Sequence, residues 1–182
     1  MTKSALILID IQNDYFPGGK YELHGIEASA ANARRLLDHA RSLGDLIVHV
    51  RHENESSDAP FFAAGTPGAE FHATLQPATD EPVVLKHRIN AFLGTGLKQL
   101  LDENGITEIT IAGDMSHMCI DAATRAAADY GYTVTVAEDA CSARDLEFNG
   151  DVIPAVQVHK AFMAALAFGY AAVVGTDACL LS

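Results

Sequence analysis

The run Ala5-Leu-Ile-Leu-Ile9, followed directly by Asp10, is apolar at consecutive positions and not at alternate ones. Two later runs, Leu46-Ile-Val-His-Val50 and residues 171–175, have a similar, largely uninterrupted apolar character. A strand that is apolar on both faces is typical of a parallel sheet covered by helices on each side. The three runs therefore predict an α/β protein built on a parallel sheet.

Helical patterns alternate with short apolar runs along the rest of the chain. Residues 26–43 place Ala30, Ala33 and Leu37 on one face, and Gly44 follows as a stop signal. The predicted strands cover residues 5–9, 46–50, 83–86, 108–112, 133–137 and 171–175, and the predicted helices cover residues 26–43, 95–105 with Thr95 as N-cap, 119–130, and 152–168 with Pro154 in the first turn. This alternation predicts one three-layer, doubly wound α/β domain over residues 1–182.

Residues 52–80 interrupt this alternation. They have weak periodicity and many Ser, Asp, Pro and Gly residues, which predicts a long loop. Long loops in compact domains are usually functional or lid-like. We therefore expect part of the substrate specificity to lie in this segment.

The composition restricts the classes of function. The formal net charge is −12, and a field of that sign repels phosphate groups, so nucleic acid and anionic membrane surfaces are poor partners. Three cysteines without a CxxC pair predict neither a disulfide framework nor a zinc site, and no run reaches the roughly 18 apolar residues of a membrane span. Gly94-Thr-Gly96 is a poor dinucleotide fingerprint. We expect a cytoplasmic protein that acts on a small molecule without a cofactor.

Three chemically active residues follow predicted strands. Asp10 follows the first strand, Lys86 ends the third, and Cys119 comes a few residues after the fourth, where the next helix begins. In doubly wound folds the ligand lies beyond the carboxyl ends of the strands. An acid, a cation and a thiol are therefore predicted to meet at one edge of the sheet.

Each of these residue types has a chemical reason to be there. A helix N-terminus and a nearby cation such as Lys86 both favour the thiolate of Cys119. Asp10 could act as the general base for the thiol, and backbone N–H groups between Gly113 and Cys119 could bind an oxyanion. The alternatives are an inert buried cysteine, an aspartate that caps a turn, and a solvated lysine.

Several motifs resemble those of one family. They are Leu8-Ile-Asp10-Ile-Gln12-Asn-Asp-Tyr-Phe16, Gly65-Thr-Pro-Gly68, Val84-Leu-Lys86, Asn90-Ala-Phe92 and Gly113-Asp-Met-Ser-His-Met-Cys119. The chain resembles the isochorismatase-like cysteine hydrolases over essentially its whole length, and the stretch from Gly113 to Arg125 is the most specific part. The resemblance implies a six-stranded parallel sheet, a homo-oligomer and a catalytic triad of Asp10, Lys86 and Cys119.

The resemblance also implies how the oxyanion would be bound. Family members have a cis peptide ahead of the nucleophile, which here would join Asp114 to Met115. The N–H groups of Met115 and Cys119 would then face the oxyanion. Because isochorismatases that cleave vinyl ethers often lack the cysteine, Cys119 favours the hydrolysis of a C–N bond in an amide, ureido compound or imide.

One departure from the family pattern concerns a metal. Nicotinamidases of this superfamily hold a metal with an Asp-x-His pair after the second strand, but Arg51 and Glu53 stand at those positions here. His52, Glu53 and His72 could be arranged around a metal. We favour the interpretation that they are polar loop residues facing water, and predict no metal.

Candidate substrate-binding residues surround the predicted triad. They are Phe16, Asn90, Phe92, His117 and Ile120, although aromatic side chains near strand ends are more often part of a core. Two other functions remain open at this point. One is a vinyl-ether hydrolase with Asp10 as the acid, and the other is a binding protein that keeps the fold without turnover.

Overall fold

The chain alternates between strands and helices in the structure, a computed structural model that describes residues 3–56 and 58–181. The strands are β1 (Ser4–Ile9), β2 (Leu46–His52), β3 (Val83–Lys86), β4 (Glu108–Asp114), β5 (Thr133–Ser142), β6 (Leu146–Phe148), β7 (Asp151–Ile153) and β8 (Ala172–Val174). The helices are α1 (Ile26–Leu43), α2 (Leu97–Glu103), α3 (Asp121–Asp129), α4 (Ala155–Gly169) and α5 (Thr176–Cys179). Within the described ranges, none of these helices combines the length and apolar character needed to cross a membrane.

Six strands form one parallel sheet in the order β3-β2-β1-β4-β5-β8. The central strand β1 pairs with β2 on one side and β4 on the other, so that Ile9 aligns with both Val50 and Gly113. The strand order reverses between β1 and β4, so the ligand crevice is expected at the carboxyl ends of these two strands. The predicted six-stranded, doubly wound parallel sheet is confirmed.

Each face of the sheet has its own hydrophobic core. Ala5, Ile7 and Ile9 of β1 pack with residues of α2, α3 and α4, whereas Leu6 and Leu8 pack with residues of α1. Successive side chains of a strand point to opposite faces, so a continuous apolar run fills both cores. This arrangement confirms the predicted three layers.

The last predicted helix begins later than expected. Residues 151–153 form β7, which pairs antiparallel with β6, and α4 begins at Ala155 after Pro154 as N-cap. The side chain of Asp145 accepts a hydrogen bond from the N–H of Ala155 at 2.7 Å and so satisfies a free donor of the helix start. A helical apolar pattern does not reveal this long-range cap.

Two smaller predictions also differ from the structure. Helix α2 begins at Leu97 after Gly96, although Thr95 still accepts a hydrogen bond from the N–H of Leu97 at 3.3 Å. Strand β8 is partly exposed, because it is an edge strand of the sheet and not a strand buried on both faces.

Residues 53–56 and 58–82 lie in the long loop that was predicted for residues 52–80, and they include two short 3-10 turns at Pro67–Ala69 and Ala73–Leu75. The buried carboxylate of Asp14 accepts a hydrogen bond from the N–H of Phe62 at 2.7 Å. Gly68 lies so close to this carboxylate that a Cβ would be 2.2 Å from its Oδ1. The loop is therefore tied to the segment that follows β1.

Candidate active site

Asp10 is the first residue after β1, and the neighbouring strands fix its position. Its N–H donates to the carbonyl of Val50 at 2.9 Å, and its φ of 54° turns the chain out of the strand direction. Gly113 of β4 approaches the end of β1 so closely that a Cβ would lie 2.0 Å from the carbonyl oxygen of Ile9. The completely buried side chain of Asp10 therefore lies at the reversal point of the sheet.

Lys86 ends β3 and directs its buried side chain across to the same point. Its Nζ lies 2.7 Å from Oδ2 of Asp10 and 3.3 Å from Sγ of Cys119. Burial alone would lower the pKa of Lys86, but the opposing effects of Asp10 and Cys119 are larger and raise that pKa. Lys86 is therefore an ammonium that contacts both an acid and a sulfur.

Cys119 lies in a π-helical turn, Ser116–Ile120, that leads directly into α3. Burial raises the pKa of its thiol, the carboxylate of Asp10 raises it further, and Lys86 offsets only part of that rise. Lys86 therefore favours the thiolate, as expected, but its effect is too small to make the thiolate the main form in the free protein. Desolvation of the buried sulfur is the larger effect, so Cys119 is a thiol with a carboxylate beside it.

The peptide bond between Asp114 and Met115 is cis, as the family resemblance implied. The N–H of Met115 has no hydrogen-bond acceptor within residues 3–56 and 58–181. A backbone donor without a partner beside a nucleophile is suited to an incoming oxyanion. The oxyanion role of Met115 and Cys119 remains a prediction.

Both sides of this cis peptide are anchored to the end of β5. The buried carboxyl of Asp114 accepts hydrogen bonds from the N–H and the hydroxyl of Ser142, and burial raises the pKa of Asp114 to about 7. The hydroxyl of Ser116 lies 2.9 Å from the carbonyl of Ser142 and 2.7 Å from Nδ1 of His159. Sequence reasoning did not identify these anchors, because their partners lie far away in the chain.

His52 is placed differently from our expectation. It does not face water as a polar loop residue: its side chain is partly buried, and Nδ1 lies 2.8 Å from Nζ of Lys86. Gln12 holds the backbone of His52 on both sides, donating from Nε2 to its carbonyl at 2.8 Å and accepting its N–H at 2.8 Å. The sequence motif around Asp10 includes Gln12, but it does not indicate that His52 contacts Lys86.

The positions that resemble a metal site are filled by ion pairs. The guanidinium of Arg51 lies 2.9 Å from Oε1 of Glu53 and 3.0 Å from Oε2 of Glu70. His72 stacks on Phe16 with ring centroids 3.5 Å apart. Among the residues described, no three His, Cys, Asp or Glu side chains are grouped in a way that could hold a metal ion. These contacts do not fit the nicotinamidase metal pattern.

The predicted substrate-binding residues have different surroundings. His117 is buried next to the nucleophile turn, and its Nδ1 has no hydrogen-bond partner among the described groups. Phe16 is buried in its stack with His72. Asn90 instead accepts a hydrogen bond from the N–H of Phe92 at 2.9 Å, as a turn residue does. Ile120 has no exposed surface and packs in the core that also contains Phe92 and Cys119.

Tyr15 is a buried residue that the sequence analysis did not select. Its ring centroid lies 4.5 Å from that of Phe62 in the long loop. Burial is the main cause that raises the pKa of Tyr15, and the carboxylate of Asp10 raises it further. Tyr15 therefore joins the loop to the surroundings of the nucleophile.

The fold and site together define a class: doubly wound α/β proteins that bury a carboxylate, an ammonium and a thiol where the strand order reverses. The chain belongs to the isochorismatase family, because the isochorismatase domain profile matches residues 4–153. It is therefore a hydrolase of that family.

Individual relatives agree with this assignment. The chain is 46% identical over 177 residues to an uncharacterised isochorismatase family protein, YddQ, of Bacillus subtilis, covering 97% of this chain and 98% of that protein. A crystal structure of a proposed isochorismatase hydrolase from Oleispira antarctica superposes with a TM-score of 0.96 at 50% identity, covering 100% of this chain and 97% of the other. A maleamate amidohydrolase of Pseudomonas putida is 30% identical over 154 residues, which are 75% of this chain and 71% of that enzyme.

Proposed function

We propose that the chain is a cysteine hydrolase that cleaves a C–N bond of a small amide, ureido compound or imide through a thioester on Cys119. The observation that carries this proposal is the contact geometry of three buried side chains. Nζ of Lys86 lies 2.7 Å from the carboxylate of Asp10 and 3.3 Å from the sulfur of Cys119. The similarity to a maleamate amidohydrolase supports an amide as the class of substrate.

In the first step, Asp10 takes the thiol proton while Sγ of Cys119 attacks the carbonyl carbon. Because the pKa of the thiol is raised, proton transfer accompanies the attack instead of preceding it. Lys86 remains an ammonium and offsets the negative charge on sulfur. The N–H groups of Met115 and Cys119 stabilise the oxyanion, and each such donor is typically worth about 3–4 kcal/mol in the transition state.

In the second step, the tetrahedral intermediate collapses and the C–N bond breaks. The proton on Asp10 moves to the departing nitrogen, which leaves as ammonia or an amine. Water then attacks the thioester carbonyl while Asp10 accepts a proton from that water, and the proton finally returns to the sulfur of Cys119. The carboxylate, the ammonium and the thiol are thereby restored.

A panel of small primary amides, ureido acids and cyclic imides tests this proposal, with released ammonia as the readout. We expect Cys119→Ala and Asp10→Asn each to abolish turnover, while Cys179→Ala, a cysteine outside the site, keeps it. A vinyl ether such as isochorismate, followed by its loss, tests the rival. Its hydrolysis in Cys119→Ala but not in Asp10→Asn, with no ammonia released from the panel, would favour the vinyl-ether hydrolase. No turnover of either kind of compound by the wild type would favour the binding protein.

A further inference from the structure

The ammonium of Lys86 has three N–H donors, and four groups of the described residues that can accept a hydrogen bond surround it. Nζ lies 2.8 Å from Nδ1 of His52, 3.2 Å from the carbonyl of Arg88 and 3.3 Å from Sγ of Cys119. The carboxylate of Asp10 is the nearest of them, with Oδ2 2.7 Å from the same nitrogen. Three of these four groups hold the nitrogen close to the reacting side chains, so its position brings it into contact with both the carboxylate and the sulfur.

The partners of His52 determine which of its ring nitrogens carries the proton. An ammonium can only donate, so Nδ1 must accept and the ring must be neutral with its proton on Nε2. Nε2 faces Oδ1 of Asn54 at 3.5 Å, and the other end of that amide donates from Nδ2 to the carbonyl of Phe61 at 2.8 Å. Burial and the charge of Lys86 both lower the pKa of His52, in agreement with a neutral ring.

The backbone of His52 is held as firmly as its ring. The buried side chain of Gln12 binds both the N–H and the carbonyl of His52 at 2.8 Å, and it also donates to the carbonyl of Ala69 at 2.7 Å. Gln12 lies two residues after Asp10. The acid, the imidazole and the long loop are therefore fixed relative to one another.

We propose that His52 is a positioning residue, which accepts a hydrogen bond from Lys86 and so holds that ammonium in contact with both the carboxylate of Asp10 and the sulfur of Cys119. The loop takes part in this arrangement, because Asn54 and the carbonyl of Phe61 orient the imidazole. The proposal rests on the proposed cysteine chemistry, and it assigns to His52 a role that does not require contact with substrate.

Two substitutions separate the hydrogen bond from the bulk of the side chain. His52→Leu keeps a side chain of similar size but removes the acceptor, whereas His52→Asn can place an amide oxygen close to the position of Nδ1. His87→Leu is the control, because His87 neighbours Lys86 in the chain but its Nδ1 faces the carbonyl of Glu53 at 2.8 Å. Each variant is compared by thermal unfolding to confirm that it is folded.

The first readout is the rate of alkylation of Cys119 by iodoacetamide at pH 8, followed by peptide mass spectrometry. Loss of a hydrogen bond to a charged group typically changes a rate by a factor of about 10–100. We therefore expect the alkylation rate of Cys119 to fall by that factor in His52→Leu. We expect His52→Asn to recover to within about 3-fold of the wild type, and His87→Leu to match it. The second readout is amide turnover, where kcat should fall in His52→Leu with little change in KM.

The outcomes distinguish this inference from the proposed function. If His52→Leu keeps the wild-type alkylation rate, or if His52→Asn falls as far as His52→Leu, the positioning role is overturned. If the wild type hydrolyses no amide, the proposed function fails, and the alkylation rates still decide whether His52 acts through Lys86.

Discussion

Nζ of Lys86 and Oδ2 of Asp10 lie 2.7 Å apart, and both side chains are at most 1% exposed. Removing one partner of such a pair leaves a charge without compensation in a low-dielectric interior, at a typical cost of about 3–5 kcal/mol. The ion pair therefore couples the chemistry of the site to the stability of the fold.

We expect Lys86→Met to lower the free energy of unfolding by about 3–5 kcal/mol, because Asp10 is then buried without its cation. The double variant Lys86→Met with Asp10→Asn should recover part of this loss. Urea unfolding of the single and double variants measures both effects. Lys98→Met is the control, since Lys98 pairs with Asp102 on the surface and its loss should change little. Equal effects of the Lys86 and Lys98 substitutions would contradict the buried pair.

The thiol of Cys119 should become reactive only at high pH in the free protein. Burial and Asp10 raise the pKa of this thiol, so at a given pH less thiolate is present than for a free cysteine. We expect the rate of iodoacetamide labelling to keep rising above pH 9 instead of levelling near it. Asp10→Asn removes a negative charge that raises this pKa, so labelling at pH 8 should be faster while turnover is lost. Labelling that levels off near pH 7 would contradict this account.

Gly113 should tolerate no side chain. A Cβ at this position would lie 2.0 Å from the carbonyl oxygen of Ile9, and its φ of 123° already disfavours other residues. We expect Gly113→Ala to lower the free energy of unfolding by more than about 3 kcal/mol, because overpacking and backbone strain act together. Gly131→Ala is the matched control, since Gly131 also has a positive φ but open space around its Cβ position. We expect Gly131→Ala to lower the free energy of unfolding by about 1–2 kcal/mol. Similar losses in the two variants would show that the close approach of Gly113 to Ile9 has no effect on stability.

Asp114 should make stability depend on pH below neutrality. Burial raises its folded pKa to about 7, far above the unfolded value near 4, so the folded state holds a proton that the unfolded state has lost between these limits. Its contribution is complete below about pH 4 and is lost as the pH rises to about 7, at a slope of about 1 kcal/mol per pH unit. Asp114→Asn, which keeps an acceptor for Ser142, should flatten that slope in urea unfolding between pH 4.5 and 7. An unchanged slope would show that Asp114 is ionised in the folded state.

The sheet could be predicted because its evidence is local. Continuous apolar runs such as residues 5–9 identify strands that are buried on both faces, and the alternation with helices predicts their parallel arrangement. The positions of Asp10, Lys86 and Cys119 followed from the rule on strand ends, and the structure brings them into contact. The hairpin of β6 and β7 was missed because each strand has three residues and depends on its partner.

The electrostatics of the site could not be predicted from the sequence. The direction of the shift in the pKa of Cys119 depends on whether desolvation exceeds the effect of Lys86, and only coordinates determine the burial of the sulfur. The contact between His52 and Lys86 joins residues 34 positions apart on neighbouring strands, and it depends on the register of β2 and β3. Residue type alone gives no information about such a register.

The most direct test of the account is the mass of the intact protein after rapid acid quench during turnover of an amide substrate. We expect the wild type to gain the mass of the acyl group, to lose it on treatment with hydroxylamine, and to carry it on the peptide that contains Cys119. Cys119→Ser, with Lys86 and Asp10 in place, should show no hydroxylamine-sensitive adduct of this kind. Steady turnover by a Cys119→Ala variant, with no adduct on the wild-type cysteine, would contradict covalent catalysis by this residue.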